Sequence, residues 1–448
     1  MASNKQTTKK ILMLPWLAHG HITPFFELAK RLSKSFQICL CSSPINLQAI
    51  NPDPAPNHSI QLIPLHLPSL PDLPAHMHTT KGLPLHLEPT LVKAFDMAAP
   101  GFELLLDRLE PDLVLSDLFM PWAARSALSR NIPVVSFVVT GVAVVAGLVN
   151  GFWNKGREFP FPEVDLSEHW VSKSSGRKVC DEVGRDWAMR FFECMRMSCD
   201  VALVNTSPEF EAKYIQFLAS SLKKKVLPIA PLIPQIEPTN EKLEILEWLD
   251  KKTPKSTIYV SFGSEYYLTK QDTEELAHGL HQSGVNFIWV IRFPKGQNLT
   301  IEEALPKNFL KQTEDKGLII NEWAPQLKIL SHSSIGGFVC HCGWNSVVES
   351  IMFGVPIMAL PMQLDQPYHA KVVECAGLCV EAKRDGEGNV KREEVLKAIK
   401  EVMFEKRGEA LRGKAREIGE ALRKREKWII YEVVDEFCKL CKQESKGV

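Results

Sequence analysis

The chain reads as an α/β protein made of two doubly wound domains that face each other across a cleft. Three observations carry this. Short β-branched runs alternate with longer amphipathic ones from end to end, the pattern of parallel sheets with crossover helices. At 448 residues the chain is too long for one compact core. Midway the alternation breaks at PIAPLIPQIEPTNEK, a proline-rich stretch without periodicity that reads as a linker at about 231–240.

The elements follow in order. Ile11–Leu14 is a short apolar strand, and Thr23–Leu32 has apolar residues at helical spacing. Leu113–Leu115, Val134–Val138 and Val201–Val204 are further strands, the last meeting Ser207-Pro208-Glu209, a cap, a first-turn proline and an acid that open a helix. After the linker come strands at Thr257–Ser261, Val285–Val290, Leu318–Ile320, Gly337–Val339, Val355–Ala359 and Cys379–Glu381, with a helix from Lys270. The tail is helical from Glu393. Its last segment, Trp428 to Cys441, carries Trp428, Ile429, Tyr431 and Val434 as a stripe expected to pack on the first domain. The expected division is 1–230, a linker at 231–240, 241–425, and a returning helix at 426–448.

Composition excludes several classes. Lys plus Arg equals Asp plus Glu at 53 each, so the basic surplus of a nucleic-acid or anionic-membrane binder is absent. Eleven cysteines without framework spacing are expected to be reduced thiols in a cytoplasmic protein. On that expectation the sequons at Asn57, Asn205 and Asn298 carry no sugar. The apolar run Pro133–Val149 is shorter than the ~20 residues of a membrane span. The polar start leading into Ile11 reads as a first strand, not a signal peptide.

The most informative stretch runs from Trp323 to Gln366, WAPQLKILSHSSIGGFVCHCGWNSVVESIMFGVPIMALPMQLDQ. A strand ending at Cys340 meets a helix from Trp344, so HCGWNS sets Asn345 and Ser346 at a helix N-terminus, where free N–H groups and the dipole favour phosphate. His341 at the strand's exit adds a donor or positive charge. Ser261-Phe-Gly-Ser264 is a second such turn, with Gly263 permitting close backbone approach. Cys340-His341-Cys342 is no zinc trio, because alternate strand residues point to opposite faces.

The stretch resembles the signature box of plant UDP-dependent glycosyltransferases at its full length, and the similarity of layout extends over essentially the whole chain. The resemblance implies the two-domain GT-B fold and inverting sugar transfer without a metal ion; the sequence contains no Asp-x-Asp pair of the sort that holds Mn²⁺. It further implies that Trp323 stacks on uracil and Ala324 bonds it through the backbone. Gln326 and Glu349 then hold the ribose, and His341, Asn345, Ser346 and Ser264 the diphosphate. Trp344, Asp365 and Gln366 bond the sugar, the final Gln being associated with glucose. Cys340 departs from the Thr or Ser commoner in the family.

The first strand leads into Pro15-Trp-Leu-Ala-His19-Gly-His21. The match to the family's Gly-His turn makes His21 the general base and His19 a bystander. A neutral imidazole has a suitable pKa, and such a base contributes roughly 10²–10⁴ in rate. Asp117, in PDLVLSDLFMPWA, matches the acid that supports the imidazolium.

Four stretches resemble the branch-forming subgroup, which adds sugar to sugar on terpenoid, flavonoid or carotenoid glycosides: Cys41–Leu47, Leu73–Leu87, Val260–Leu268 and Val285–Pro294. An apolar aglycone needs apolar walls, for which Phe119, Met120, Trp122, Phe137 and the helix after Thr140 are candidates. For sugar hydroxyls the candidates are His76, His78, Thr79 and Thr80. The expected partners are therefore a UDP-sugar and a small glycoside acceptor, with no metal, nucleic acid or membrane insertion, and a monomeric chain. Glucosylation of the aglycone itself, or use of another UDP-sugar such as UDP-xylose or UDP-glucuronate, stays open. From another class, a UDP-sugar epimerase can use the same fold, but it needs no aglycone pocket and the His21/Asp117 pair speaks against it.

Overall fold

A computed structural model describes residues 8–50, 60–153, 158–164, 182–236, 243–293 and 299–442. Asn57, Asn298, the linker residues 237–240 and the first seven residues lie outside the described residues.

Two all-parallel sheets organise the chain. The first contains β1 (Lys10–Leu14), β2 (Gln37–Ser42), β3 (Ile60–Pro64), β4 (Leu113–Ser116), β5 (Val134–Val138), β6 (Val201–Val204) and β7 (Lys225–Pro228). Their order is β3-β2-β1-β4-β5-β6-β7. The second contains β8 (Thr257–Ser261), β9 (Asn286–Val290), β10 (Gly317–Ile320), β11 (Ile335–Cys340), β12 (Ile357–Ala359) and β13 (Cys379–Glu381), in the order β10-β9-β8-β11-β12-β13. In each sheet the winding reverses between neighbouring strands, β1 beside β4 and β8 beside β11. Ligands of doubly wound sheets bind beyond the carboxyl ends of such strands. The two reversal points therefore fix where chemistry is to be sought: the turns after Leu14, Ser116, Ser261 and Cys340.

β2, β3 and β7 are elements the alternation did not announce. β2 mixes cysteines and serine into its buried run, and β3 and β7 are edge strands, short and partly exposed. Their side chains do not display the continuous β-branched run of a central parallel strand.

The helix after β1 begins at His19 rather than Thr23, so Pro24 lies inside it. Proline has no N–H to give the carbonyl four residues back, which is Gly20's. The Ser207 position is N-terminal to its helix as expected, but its hydroxyl bonds the Glu209 carboxylate and not a backbone N–H.

A single helix, Lys406–Leu440, spans both domains. Ala415, Ile418 and Leu422 pack in the second domain's core. Ile429, Val433, Phe437 and Leu440 pack in the first domain's, beside Phe36 and Ile38. This corrects the expected stripe. Trp428 and Tyr431 are 76% and 73% exposed, because the inward face runs 429, 433, 437, 440 and both aromatics lie off it. No helix among the described residues is long and apolar enough to cross a membrane.

Candidate active site

The turns after β1 and β4 bring His21 and Asp117 together. His21 Nδ1 lies 2.7 Å from Asp117 Oδ2. Asp117 is almost fully buried, and its carboxylate also accepts the backbone N–H of Trp16 at 3.0 Å and of Leu118 at 2.7 Å. Three donors thus fix its orientation. With Nδ1 engaged, Nε2 is the imidazole atom left to the cavity. Burial opposes charge on His21, but the Asp117 carboxylate, with weaker help from Glu265 and Asp365, holds the imidazole pKa above its ordinary value. His19 lines the same cavity with its pKa lowered by burial and by Lys81 and Arg292.

The cavity, about 1760 Å³, lies between the two sheets' reversal points. All eleven residues that the resemblance assigns to the donor line it. Trp323 stands at the rim, 70% exposed. Gln326 Nε2 donates to Glu349 at 2.6 Å and to Ser346 Oγ at 3.1 Å, while its Oε1 accepts from Tyr259 at 3.4 Å. Burial pushes the Glu349 carboxyl up to about 7. His341 is held between two glycines: a Cβ on Gly263 would stand 2.7 Å from its Nε2, and one on Gly343 2.5 Å. Gly263 also has φ +74°, a conformation natural to glycine. Ala324 is buried at the cavity wall.

Several of these side chains tie the two domains together. Trp344 gives its indole N–H to the Asn205 carbonyl at 2.5 Å, so only its backbone N–H at the helix start is left for a ligand. Asn345 Nδ2 donates to the Gly20 carbonyl at 3.0 Å. Thr140 donates to Asp365 Oδ2 at 2.7 Å and lies 2.8 Å from His369 Nε2. Gln366 accepts from the backbone N–H of Met362 and Gln363, which aims its amide N–H groups away from that loop.

The expected acceptor residues divide. Phe119 and Thr140 line the cavity, and so does Thr80. Met120, Trp122, Phe137, His78 and Thr79 do not line it. Met120 is fully buried, and Trp122 packs edge-on against Phe95 and Phe102 at 5.5 and 5.6 Å. Phe137 lies on the sheet face covered by the His19–Leu32 helix, 4.8 Å from Phe25. His78 and Thr79 are tucked beneath the loop that carries them, Thr79 reaching the Leu17 carbonyl.

Two further aromatic residues line the cavity beside Phe119. Trp16, Phe119 and Trp187 form an aromatic wall, the Phe119 ring 5.6 Å from His21 and 4.5 Å from Trp187. Trp16 was visible as the tryptophan before His19, whereas the Glu182–Met197 helix carrying Trp187 went unassigned. Glu211 is also new. Fully buried, it accepts from the N–H groups of Val142 and Ala143 at the start of the Val142–Trp153 helix, next to Thr140, and from Thr206 at 2.5 Å. Among the described residues no group of three His, Cys, Asp or Glu is arranged to hold a metal ion.

Known proteins are similar to this chain in sequence and in fold. A family model described as UDP-glucoronosyl and UDP-glucosyl transferase matches residues 224–411. A Siraitia grosvenorii protein named mogroside IIIx synthase is 48% identical over 98% of this chain and 95% of its own length. Beta-D-glucosyl crocetin beta-1,6-glucosyltransferase of Gardenia jasminoides is 43% identical over 97% of this chain and 100% of its own. Among solved structures, a Glycyrrhiza uralensis UGT complexed with glycyrrhetinic acid 3-O-monoglucuronide superposes with a TM-score of 0.83, covering 98% of this chain and 97% of that one. At 23% identity that likeness shows the fold alone, a GT-B pair of Rossmann-like domains.

Proposed function

We propose, from the premise that this chain belongs to the UDP-glucoronosyl and UDP-glucosyl transferase family, that it transfers glucose from UDP-glucose, with inversion, to a sugar hydroxyl of an existing glycoside. The observation that carries this reading is the His21–Asp117 pair opening on the cavity that the whole donor box lines.

In the second domain Trp323 stacks on uracil, with Ala324 bonding the base through its backbone. Glu349, oriented by Gln326, accepts from the ribose hydroxyls. The diphosphate lies against Ser264, His341, Asn345 and Ser346 at the start of the Trp344–Met352 helix, where the dipole favours it. Asp365 and Gln366, with the backbone N–H of Trp344, hold the glucose hydroxyls.

The reaction then follows from the dyad. His21 Nε2 takes the proton of the acceptor hydroxyl as that oxygen forms a bond to the anomeric carbon. The bond from that carbon to the phosphate oxygen breaks, and its electron pair leaves with UDP. Asp117 stabilises the imidazolium formed. Attack from the face opposite the leaving group inverts the anomeric centre.

For a glycoside acceptor, support comes from relatives whose names state such substrates, the crocetin glucoside glucosyltransferase among them. Terpenoid, flavonoid and carotenoid glycosides are the classes to test. The reading carries with it a cytoplasmic, monomeric enzyme. The test is an assay of UDP-glucose against a panel of aglycones and their mono- and diglucosides, read by mass. Activity on aglycones alone overturns the sugar-on-sugar reading, and conversion of UDP-glucose without acceptor into another UDP-hexose marks an epimerase.

A further inference from the structure

The four stretches that mark the sugar-on-sugar resemblance are scattered over 250 positions of sequence, yet they meet at one place (41 to 294). Ser43 donates to the His78 carbonyl at 2.7 Å, and Asn46 to the Leu17 carbonyl at 3.5 Å. The Thr80 backbone N–H reaches the same Leu17 carbonyl at 3.0 Å. The first stretch therefore pins the second beside the turn that carries His19 and His21. From there Thr80 donates its hydroxyl across the cleft to Glu265 Oε1 at 2.5 Å, joining the second stretch to the third. Lys81 Nζ and Arg292 Cζ, from the second and fourth, stand 5.7 and 5.5 Å from the Trp323 ring centre, within cation–π range. Thr80, Lys81, Glu265 and Arg292 all line the cavity that holds His21.

The cavity is thus two-faced about the base. Toward Phe119, Trp187 and Trp16 it is aromatic. Toward Thr80 and Glu265 it is polar and charged. A glycoside is two-faced in the same way, an apolar aglycone joined to a ring of hydroxyls. The reacting hydroxyl sits at His21, and its neighbours on the same ring, one or two carbons away, need partners. A carboxylate that accepts and a threonine hydroxyl that donates or accepts supply them, whereas an aromatic wall leaves hydroxyls unpaired at a cost.

We infer that Thr80 and Glu265 form the subsite for the acceptor's own sugar, with its aglycone against Trp16, Phe119 and Trp187, and that a sugar hydroxyl takes the place of Thr80 on Glu265 when acceptor binds. This inference rests on the glycoside-acceptor reading. It adds which side of His21 each half of the acceptor occupies and which residues select for a sugar.

The test compares wild type with Glu265→Leu, Glu265→Gln and Thr80→Val, using matched aglycones and monoglucosides of the terpenoid, flavonoid and carotenoid classes. Glu265 is exposed, so its substitutions leave folding intact, checked by Tm. Expected is a KM for the glucoside raised about 10-fold in Glu265→Leu, the effect of one charged hydrogen bond, with KM for UDP-glucose changed less than about 2-fold. Glu265→Gln, which still accepts a bond, shows a smaller rise. A glucoside KM that stays at the wild-type value, or rises by the same factor as the aglycone's, overturns the subsite while leaving the glycoside reading standing. Wild type that uses aglycones and no glucoside overturns both.

Discussion

Asn345, in the second domain, donates its side-chain amide to the carbonyl of Gly20, the residue before the base, and that carbonyl is free because Pro24 has no N–H to offer it. A helix defect in one domain is completed by a side chain of the other. In the proposed donor pose the second amide hydrogen of Asn345 serves the diphosphate, so donor binding and placement of His21 would pass through one side chain. Asn345→Ala is expected to lower kcat/KM by at least about 10-fold, the effect of one or two hydrogen bonds. Pro24→Ala separates the two contacts, since it gives Gly20 a helical donor without touching the phosphate. It should raise Tm and lower kcat more than KM for UDP-glucose. A Pro24→Ala enzyme with wild-type kcat means the Gly20 link does not place the base.

The dyad predicts a pH profile. His21 acts as base only when neutral; burial, the largest single effect, lowers its pKa, but Asp117 with help from Glu265 and Asp365 outweighs it and holds the pKa above 6.5. Activity therefore climbs with pH through a midpoint above 6.5. Asp117→Asn should move that limb to lower pH and reduce kcat by roughly 10²–10⁴, the worth of an oriented base. The same pair contributes to stability in the opposite sense: fully below pH 6.5, and less as pH rises through the raised pKa. The pH dependence of kcat/KM and of Tm in wild type and Asp117→Asn checks both signs. His21→Ala should abolish transfer while UDP-glucose binding, measured by calorimetry, stays nearly intact.

Thr140, expected among the acceptor residues, lines the cavity and also donates its hydroxyl to Asp365 across the two domains. Its position is set by Glu211, which caps the N–H groups of Val142 and Ala143, two and three residues on. Gly141 is pressed so close to Trp344 that a Cβ there would lie 2.9 Å from the indole. On the proposed assignment Asp365 holds the sugar, which UDP lacks, so Thr140→Val should weaken UDP-glucose by about 10-fold and leave UDP nearly unchanged. Glu211→Gln should shift the same ratio in the same direction. Dissociation constants for both ligands in both variants decide it.

What the sequence disclosed tracks how local each signal is. The donor box is a strand, a turn and a helix in one run, so spacing alone placed Asn345 and Ser346 at a helix start, whereas the rim position of Trp323 is visible only in the fold. His21 and Asp117 stood at the ends of two recognisable strands, and parallel pairing of β1 with β4 did the rest. The acceptor wall depended on which face of an element looks inward. Phe137 and Phe119 are both apolar residues near the cleft in sequence, yet only packing sends one under a helix and the other to the cavity. Thr80 and Glu265 are 185 positions apart, and nothing in the periodicity of either segment announces the other.

Glu349 offers a proton count. Burial holds its carboxyl at about 7, and on the proposed assignment ribose hydroxyls stabilise the ionised form by donating to it. Binding of UDP-glucose, whose phosphates do not titrate near neutrality, should then release protons near and below pH 7, and affinity should rise as pH rises through that value. Calorimetry in buffers of different ionisation enthalpy measures the release directly, and Glu349→Gln should bring it close to zero. The sign for stability is the reverse. A carboxyl with a raised pKa contributes fully below about 4.5, its unfolded value, and loses that contribution as pH rises through about 7. Glu349→Gln should accordingly raise Tm at pH 8 more than at pH 4.

His341 sits in a slot whose two walls are glycines, and the slot predicts a coupled pair of mutations. A methyl on Gly263 would stand 2.7 Å from His341 Nε2, and the φ of +74° there makes any side chain strained as well. Gly263→Ala should therefore displace the imidazole from the diphosphate and lower kcat/KM for UDP-glucose by about 10²-fold, two polar contacts' worth. If the damage passes through His341, then Gly263→Ala placed on His341→Ala costs much less than it does alone, because the ring it displaces is gone. If it passes through the backbone strain instead, the two losses multiply. A double-mutant cycle on kcat/KM distinguishes them, and only the first outcome supports the slot as the device that aims His341 at phosphate.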